Sequence, residues 1–261
     1  MTANLRLDFD NLPLVEVALR ATFSSPKHLE YLTLINIRDR LGEEFRVMTT
    51  PAGIEGAPGA ASPSIEIGKP SLLGADFGGG REGIWLSIQK QVVVARWVRQ
   101  LPDGAPQYPR FGAVLNAFKA GLSALAEAFQ LDPFPLSAVN ISYANFIRTE
   151  NAGGVLQKYF SPLVQVAATN RAKEIQKVEF AWREENDVDL RFRLESVSAA
   201  EGDKTVPGYR LITIAGTKLA ADTDDASEAL TRLHDRLQYF FRDLISEDAR
   251  TEWRLQESSN G

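Results

Sequence analysis

Apolar and polar residues alternate near the start of the chain. In the stretch PLVEVALRATF, residues 13–23, every second side chain from Val15 to Phe23 is apolar, and Glu16 and Arg20 lie between them. A period of two is typical of a β-strand with one buried face, because successive side chains of a strand point to opposite sides. The pattern therefore predicts a first strand over these residues.

Helical spacing and loop composition follow this strand. The stretch LEYLTLINIRDRLGEEF, residues 29–45, has apolar residues at helical spacing. Residues 51–83 are dense in Gly, Ala, Ser and Pro, which predicts a long mobile loop with SIEIG as its only plausible strand. Residues 83–100 predict two strands joined near Lys90, and residues 108–129 predict a helix of about five turns.

The same order of elements returns in the second half of the chain. Residues 136–149 alternate as a strand, and residues 153–167 predict a short helix. Three further strands and a second long helix are predicted over residues 174–185, 187–198, 207–219 and 225–246.

These elements predict an α+β protein, a tandem duplication of a β-α-β-β-β-α unit. The first unit covers residues 1–132, the second covers residues 133–255, and residues 256–261 form a flexible tail. Each unit has a mostly antiparallel sheet whose apolar face is backed by its long helix. Two such units could join edge to edge into one long curved sheet, a layout similar to that of the TATA-binding protein, and this analogy carries no function. The prediction rests on the order of elements, which α+β proteins also adopt without duplication.

Composition excludes several classes of protein. The chain has 261 residues and a net charge of −5, so its overall field does not favour nucleic acid or an anionic membrane. It has no cysteine, which excludes disulfides, thiolate catalysis and cysteine-ligated metals. The first residues lack a secretory pattern, and no apolar run approaches the roughly 20 residues of a membrane helix. We expect a cytoplasmic protein that does not enter a membrane.

A histidine and an aspartate stand side by side in the last predicted helix. Such a pair is a feature of metal-dependent phosphohydrolases, which need several histidines and carboxylates around one or two ions. The chain has only two histidines, and His234 lies on the flank of the apolar stripe of its helix. We therefore expect His234 at the edge of the core and Asp235 turned away from it, with no metal site.

Other chemical motifs are weak. The stretch FGGGREG, residues 77–83, lacks the order of a phosphate-binding loop, and no cofactor is expected. No serine elbow is present, so no catalytic residue is assigned. Catalysis by lysine or carboxylate leaves no recognisable spacing, and an unrecognised hydrolase, with His234 and Asp235 at a pocket, is therefore the third hypothesis.

Three segments resemble a sporadically distributed, uncharacterised family of bacterial proteins. They are the opening strand NLPLVEVALRATF, a Y-x-N-x-I strand in VNISYANFIR, and a Leu-His-Asp helix that is followed by a phenylalanine and a final tryptophan. Leu12-Pro13 stands where the family commonly has two prolines. The matching residues of the last two segments are Tyr143, Asn145, Ile147, Leu233, His234, Asp235, Phe241 and Trp253.

The resemblance implies a biological setting and no activity. The family's patchy distribution is typical of accessory genes, such as those of defence, toxin-neutralising and mobile-element systems. The resemblance also implies that His234 and Asp235 are a family hallmark. A structural explanation for the hallmark is a polar contact between His234 and either Tyr143 or Asn145.

We predict a non-enzymatic binding protein that recognises another protein. The predicted surface is the helix-free face of a sheet or an exposed edge strand, since an edge strand binds a partner strand through backbone hydrogen bonds. Arg183, Arg191 and Arg193 are the candidate residues, and a homodimer is possible. The alternative is a nucleic-acid-binding protein, which requires these arginines to form one continuous patch with Arg96 and Arg99.

Overall fold

The computed structural model describes most of the chain. The described residues are 5–9, 13–49, 74–78, 83–99, 108–131, 133–148, 155, 158–161, 177–184, 187–201, 204–220, 225–253 and 255–259.

One antiparallel sheet of nine strands organises the described residues. Its order is β3-β4-β5-β6-β2-β7-β10-β9-β8, and a separate pair is formed by β1 and β11. The strands are β1 Leu5–Phe9, β2 Leu14–Phe23, β3 Val47–Thr49, β4 Gly74–Gly78, β5 Ile84–Gln89, β6 Val92–Val98, β7 Leu136–Arg148, β8 Lys177–Arg183, β9 Asp189–Glu201, β10 Lys204–Lys218 and β11 Leu255–Ser259.

Two long helices cover one face of this sheet. Helix α2, Phe111–Phe129, packs on β2, β5 and β6, and helix α3, Ala226–Leu244, packs on β7 and β10. We call this side the helix face and the opposite side the open face. Helix α1, Tyr31–Leu41, packs against α2. A 3₁₀ turn at Glu43–Phe45 and a short helix α4, Glu247–Glu252, are further helical elements, and Val155, Lys158 and Tyr159 are helical as well.

Strand alternation decides which side chains form the core. In β9, Leu190, Phe192 and Leu194 are buried on the helix face, whereas Arg191 between them is exposed. The same alternation buries the helix-face side chains of β2. Burial of these apolar faces supplies most of the free energy that holds such a sheet against its helices.

The predicted tandem duplication of a β-α-β-β-β-α unit is wrong. β2 and β7 pair antiparallel from Leu14 to Phe23, so the strands belong to one nine-stranded sheet and not to a repeated unit of sheet and helix. One hydrophobic cluster includes both Val17 in β2 and Leu237 in α3 and so spans the two predicted units, and a second cluster lies between β9, β10 and the end of α3. The strands also differ in length, since β9 and β10 have 13 and 15 residues whereas β4 has five. The analogy to the TATA-binding protein is therefore dropped, because it required two equal units.

The order of elements along the chain led to a wrong prediction of the fold because it does not show which strands pair in the sheet. Strands of both predicted units present apolar residues to the same side, and sharing one core buries more apolar surface than two separate cores do. One sheet is therefore the favourable arrangement for this pattern.

Strand β4 lies inside the segment 51–83 that we expected to be a loop. Its terminal residues, Gly74 and Gly78, have neighbours where a Cβ would stand: the Ile88 carbonyl and the Trp85 ring, respectively. Glycine is thus used here for close approach of a neighbouring strand rather than for a loop. The rest of that segment, apart from Gly83, lies outside the described residues.

The two ends of the described chain form a small ribbon. Strand β11 pairs antiparallel with β1 from Leu255 to Ser259, over most of the segment that we expected to be a tail. Most of the predicted short helix at 153–167 lies outside the described residues. No helix in the described part of the chain is long and apolar enough to span a membrane.

Candidate functional site

Strand β8 forms one edge of the nine-stranded sheet. It pairs with β9 on one side, and no other described strand pairs with its outer side. The opposite edge is β3, which has only three residues. β8 has seven residues, KVEFAWR, whose side chains are alternately exposed and half-buried. It is therefore the longer of the two edges.

One hydrogen bond at the end of β8 shows which of its residues point their backbone N–H and C=O groups away from β9. The N–H of Glu184 donates to the carbonyl of Val188 at 2.9 Å, which turns Glu184 toward β9. Backbone groups of successive strand residues point to alternate sides. The backbone groups that point outward, in the plane of the sheet and away from β9, are therefore those of the odd-numbered residues. These are Lys177, Glu179, Ala181 and Arg183.

The outward residues carry their side chains on the open face. Lys177 Nζ lies 2.5 Å from Glu179 Oε2, and Arg183 Nε lies 2.9 Å from Asp189 Oδ1. Hydrogen bonds from Lys177 and Arg183 lower the pKa of Glu179 and of Asp189, respectively. These carboxylates are thus ionised at neutral pH. Ala181 is exposed between the two pairs.

The helix-face side chains of β8 are apolar and half-buried. They are Val178, Phe180 and Trp182. The ring of Trp182 meets that of Phe240 in α3 edge-on at 5.0 Å, and the Phe180 ring lies 5.9 Å from that of Phe192. The edge therefore presents an apolar row and a charged row on either side of backbone groups that no described strand pairs with.

The five candidate arginines fall into two places. Arg183, Arg191 and Arg193 lie together on the open face of β8 and β9. Arg96 lies on β6, four strand spacings or about 19 Å from β9. Arg99 is exposed just beyond the end of β6. The structure thus brings three of the five together and leaves two apart.

Carboxylates lie among these arginines. Arg193 pairs with Glu195 on β9, and Arg96 Nη2 lies 3.8 Å from Asp76 Oδ2. On the strands between them, Arg210 Nη2 lies 3.2 Å from Glu16 Oε2. The positive potential that a phosphate backbone requires is therefore interrupted across this face.

His234, Tyr143 and Gln238 form a polar cluster between α3 and β7, which we call the His234 group. His234 Nδ1 lies 2.7 Å from the Tyr143 hydroxyl of β7, and His234 Nε2 lies 3.0 Å from the Gln238 side-chain nitrogen. The His234 ring stacks on that of Phe111, the first residue of α2, at 4.1 Å and 6°. A neutral imidazole donates at one nitrogen and accepts at the other, and Tyr143 and Gln238 occupy both positions.

The side chains of this group are half-buried. Burial raises the pKa of Tyr143, and neighbouring Tyr108 and Asp235 raise it further. Burial also raises the pKa of Asp235. Within the described residues, no three histidine or acidic side chains are placed to hold a metal ion. The arrangement ties α2 and α3 together over β7.

Sequence reasoning named Tyr143 and Asn145 as candidate partners of His234, and the contact is made by Tyr143. It missed Phe111 and Gln238. Gln238 was detectable, because it lies one helical turn after His234. Phe111 was not, because its contact depends on how α2 and α3 lie on the sheet.

Asn145 is buried two residues beyond Tyr143 on the same face of β7. It is 1% exposed, and neither its amide nitrogen nor its amide oxygen has a hydrogen-bond partner among the described residues. A buried polar group without a partner costs about 1–3 kcal/mol. We therefore expect Asn145 to lower the stability of the sheet.

Replacing Asn145 by valine is expected to raise the free energy of unfolding by about 1–2 kcal/mol. The change removes the unpaired amide and places a β-branched side chain in a strand. Urea unfolding measures the effect, and Asn140→Val on the open face of β7 is the matched control, expected to change little. A less stable Asn145→Val protein contradicts the prediction and indicates that the amide is hydrogen-bonded.

No protein-family model matches the chain, and no curated protein is significantly similar to it. The resemblance to the family with the Leu-His-Asp helix therefore stays a prediction.

Proposed function

We propose that the chain is a non-enzymatic binding protein that recognises an extended segment of another protein. The partner segment adds to the sheet as a further strand beside β8. The observation that carries the proposal is the outward-facing backbone of Lys177, Glu179, Ala181 and Arg183 on a seven-residue edge. Such groups bind an added strand by main-chain hydrogen bonds, and alternating side chains give specificity.

The two rows of side chains define the chemistry of the partner. Phe180 and Trp182 favour apolar residues on the helix-face side of the added strand. On the open face, Glu179 favours a basic residue and Arg183 favours an acidic one, with Arg191 and Arg193 close behind on β9. An extended segment with alternate apolar and charged residues meets both requirements.

The charge distribution favours a protein partner over nucleic acid. Arg96 and Arg99 lie apart from the other three candidate arginines, and carboxylates stand among all of them. A hydrolytic role for His234 is disfavoured because both of its ring nitrogens are occupied within the fold. No cofactor is part of the proposal.

The proposed setting is cytoplasmic and accessory. The resemblance noted above suggests a defence, toxin-neutralising or mobile-element system. Strand addition suits such a role, because a binding protein can inactivate or hold its partner by covering one segment of it.

The test compares proline and serine at position 181. Ala181→Pro removes one outward N–H and leaves the β8–β9 ladder intact, because proline is tolerated on the solvent side of an edge strand. Ala181→Ser keeps the N–H. Proteins captured by the tagged wild type from the native host are identified and purified, and the affinity of each variant is measured by calorimetry.

We expect Ala181→Pro to lower the affinity for the partner by about tenfold or more, since it removes the central outward N–H and places the proline ring against the added strand. Ala181→Ser is expected to bind within about twofold of the wild type. Circular dichroism and the thermal midpoint establish that both variants fold. A partner that binds Ala181→Pro as tightly as the wild type, or no protein partner at all, overturns the proposal.

A further inference from the structure

We propose that, before the partner binds, β8 pairs antiparallel with β8 of a second copy, centred on Ala181. This inference rests on the proposed function, since the same edge serves both contacts. The homodimer joins two nine-stranded sheets and covers the recognition edge.

The outward backbone groups restrict the possible registers. Hydrogen-bonded pairs across the new edge must join outward residues, which are the odd-numbered ones of β8. Two-fold pairings that overlap at least five residues are then centred on Glu179, Phe180 or Ala181. Charge distinguishes among these three.

Two of the three registers bring like charges together. Centring on Phe180 places Lys177 opposite Arg183 twice, and centring on Glu179 places that carboxylate opposite its own copy. Like charges directly opposite each other destabilise a pair of strands. Centring on Ala181 places Glu179 opposite Arg183 twice and leaves Ala181 opposite itself. Only this register is complementary at every charged pair.

The complementarity continues into the neighbouring strands. On β9, Arg193 stands opposite Glu179, and Asp189 stands opposite Arg183. In the dimer one row across the open face therefore reads Arg193, Glu179, then Arg183 and Asp189 of the second copy. Charges alternate along the whole row, and each has opposite charges as neighbours.

The helix face has a matching apolar row. Phe192 on β9 stands opposite Phe180, and in this register Phe180 stands opposite Trp182 of the second copy. Beyond that tryptophan lies Leu190 of the same copy. Pairs that are not hydrogen-bonded approach most closely in an antiparallel ladder, so the rings of Phe180 and Trp182 come into contact. Aromatic cross-strand pairs of this kind stabilise a sheet.

Existing ion pairs do not prevent this arrangement. Glu179 and Arg183 are each paired within their own chain at exposed positions. Exposed pairs contribute little to stability, so their side chains can turn to a second partner. Because the dimer and the partner compete for one edge, binding of the partner dissociates the dimer. The homodimer thus lowers the apparent affinity for the partner.

Charge exchange tests the inference without the partner. Sedimentation equilibrium measures dimerisation of the wild type, of Glu179→Arg, of Arg183→Glu and of the double variant. Each single variant places like charges opposite each other twice, and we expect its dimer dissociation constant to rise by about tenfold or more. The double variant restores opposite charges across the new edge and is expected to recover part of the loss, because each exchanged side chain then has a like charge beside it on β9, Arg193 or Asp189.

Mixing the two single variants gives a second readout. Each arginine of one then meets a glutamate of the other, so a heterodimer is expected that neither variant forms alone. A wild type that stays monomeric, or single variants that dimerise like the wild type, overturns the inference. A monomeric wild type whose partner binding is lost in Ala181→Pro would leave the proposed function standing, so the two failures are distinguishable.

Discussion

Replacing Phe192 by alanine is expected to lower the free energy of unfolding by about 3–5 kcal/mol. The side chain is fully buried at the centre of β9. Its ring meets that of Phe160 edge-on at 5.5 Å and lies 5.9 Å from that of Phe180. Alanine removes these contacts and leaves a cavity that strands on both sides restrain from closing. Urea unfolding followed by circular dichroism measures the change.

Arg191→Ala is the matched control for this substitution. It removes a large side chain from the preceding position of the same strand, and Arg191 is exposed on the open face. We expect a change of less than about 0.5 kcal/mol. Similar losses in the two variants would contradict the alternation on which the core assignment depends. Phe192→Ala is also expected to weaken partner binding, because Phe180 of the recognition edge packs on that ring.

Replacing His234 by alanine is expected to lower the free energy of unfolding by about 2–4 kcal/mol. The change removes the stack on Phe111 and leaves the hydroxyl of Tyr143 without its imidazole partner. Since this contact ties α2 to α3, the loss affects both helices. Denaturant unfolding measures the effect. A catalytic histidine without a structural role would show little change in stability, and that outcome would contradict our interpretation.

Two variants resolve the origin of this effect. A double-mutant cycle of His234→Ala with Tyr143→Phe is expected to show a coupling of about 1 kcal/mol for the hydrogen bond. Asp235→Asn is the neighbouring control and is expected to unfold no more easily than the wild type. Burial raises the pKa of Asp235 and so penalises its ionised form in the fold. That penalty is full above the raised pKa and vanishes below the ordinary range of an aspartate, so any stabilisation by Asn appears only at higher pH.

The edge strand β8 has charged side chains and is nevertheless the strand that we propose to pair with other chains. Charged side chains along an edge normally oppose pairing with other chains. In β8 the charges of Glu179 and Arg183 are spaced so that they complement an antiparallel copy. Like charges thus disfavour pairing of this edge with strands of other charge patterns, and opposite charges favour pairing with a strand of the matching pattern. Specificity by charge of this kind needs no pocket.

Local periodicity in the sequence correctly located several elements. β2 at Leu14–Phe23 and β9 at Asp189–Glu201 follow from a period of two, and α2 and α3 follow from helical spacing. These signals are strong because each element buries one face, and burial imposes its own period on the residues. For the same reason Phe192 is buried in the core and Arg191 is exposed on the opposite face.

Glycine-rich composition and the order of elements were the weaker signals. The terminal glycines of β4 resemble loop residues in the sequence, although in the fold they make room for Trp85 and for the backbone of Ile88. The repeated order of elements suggested two units, whereas β2 and β7 pair into one sheet. Neither the neighbour of a glycine nor the partner of a strand is encoded in local spacing.

The sequence by itself therefore determined the faces of the strands and helices, the absence of thiol chemistry and the position of His234 at the edge of the core. Only the tertiary structure decided that β8 is an edge, that its odd-numbered residues point outward, and that Phe111 covers His234. The physical reason is the distance along the chain over which each feature arises. Side-chain periodicity arises within one element, whereas an edge or a ring stack exists only after segments far apart in the chain have packed together.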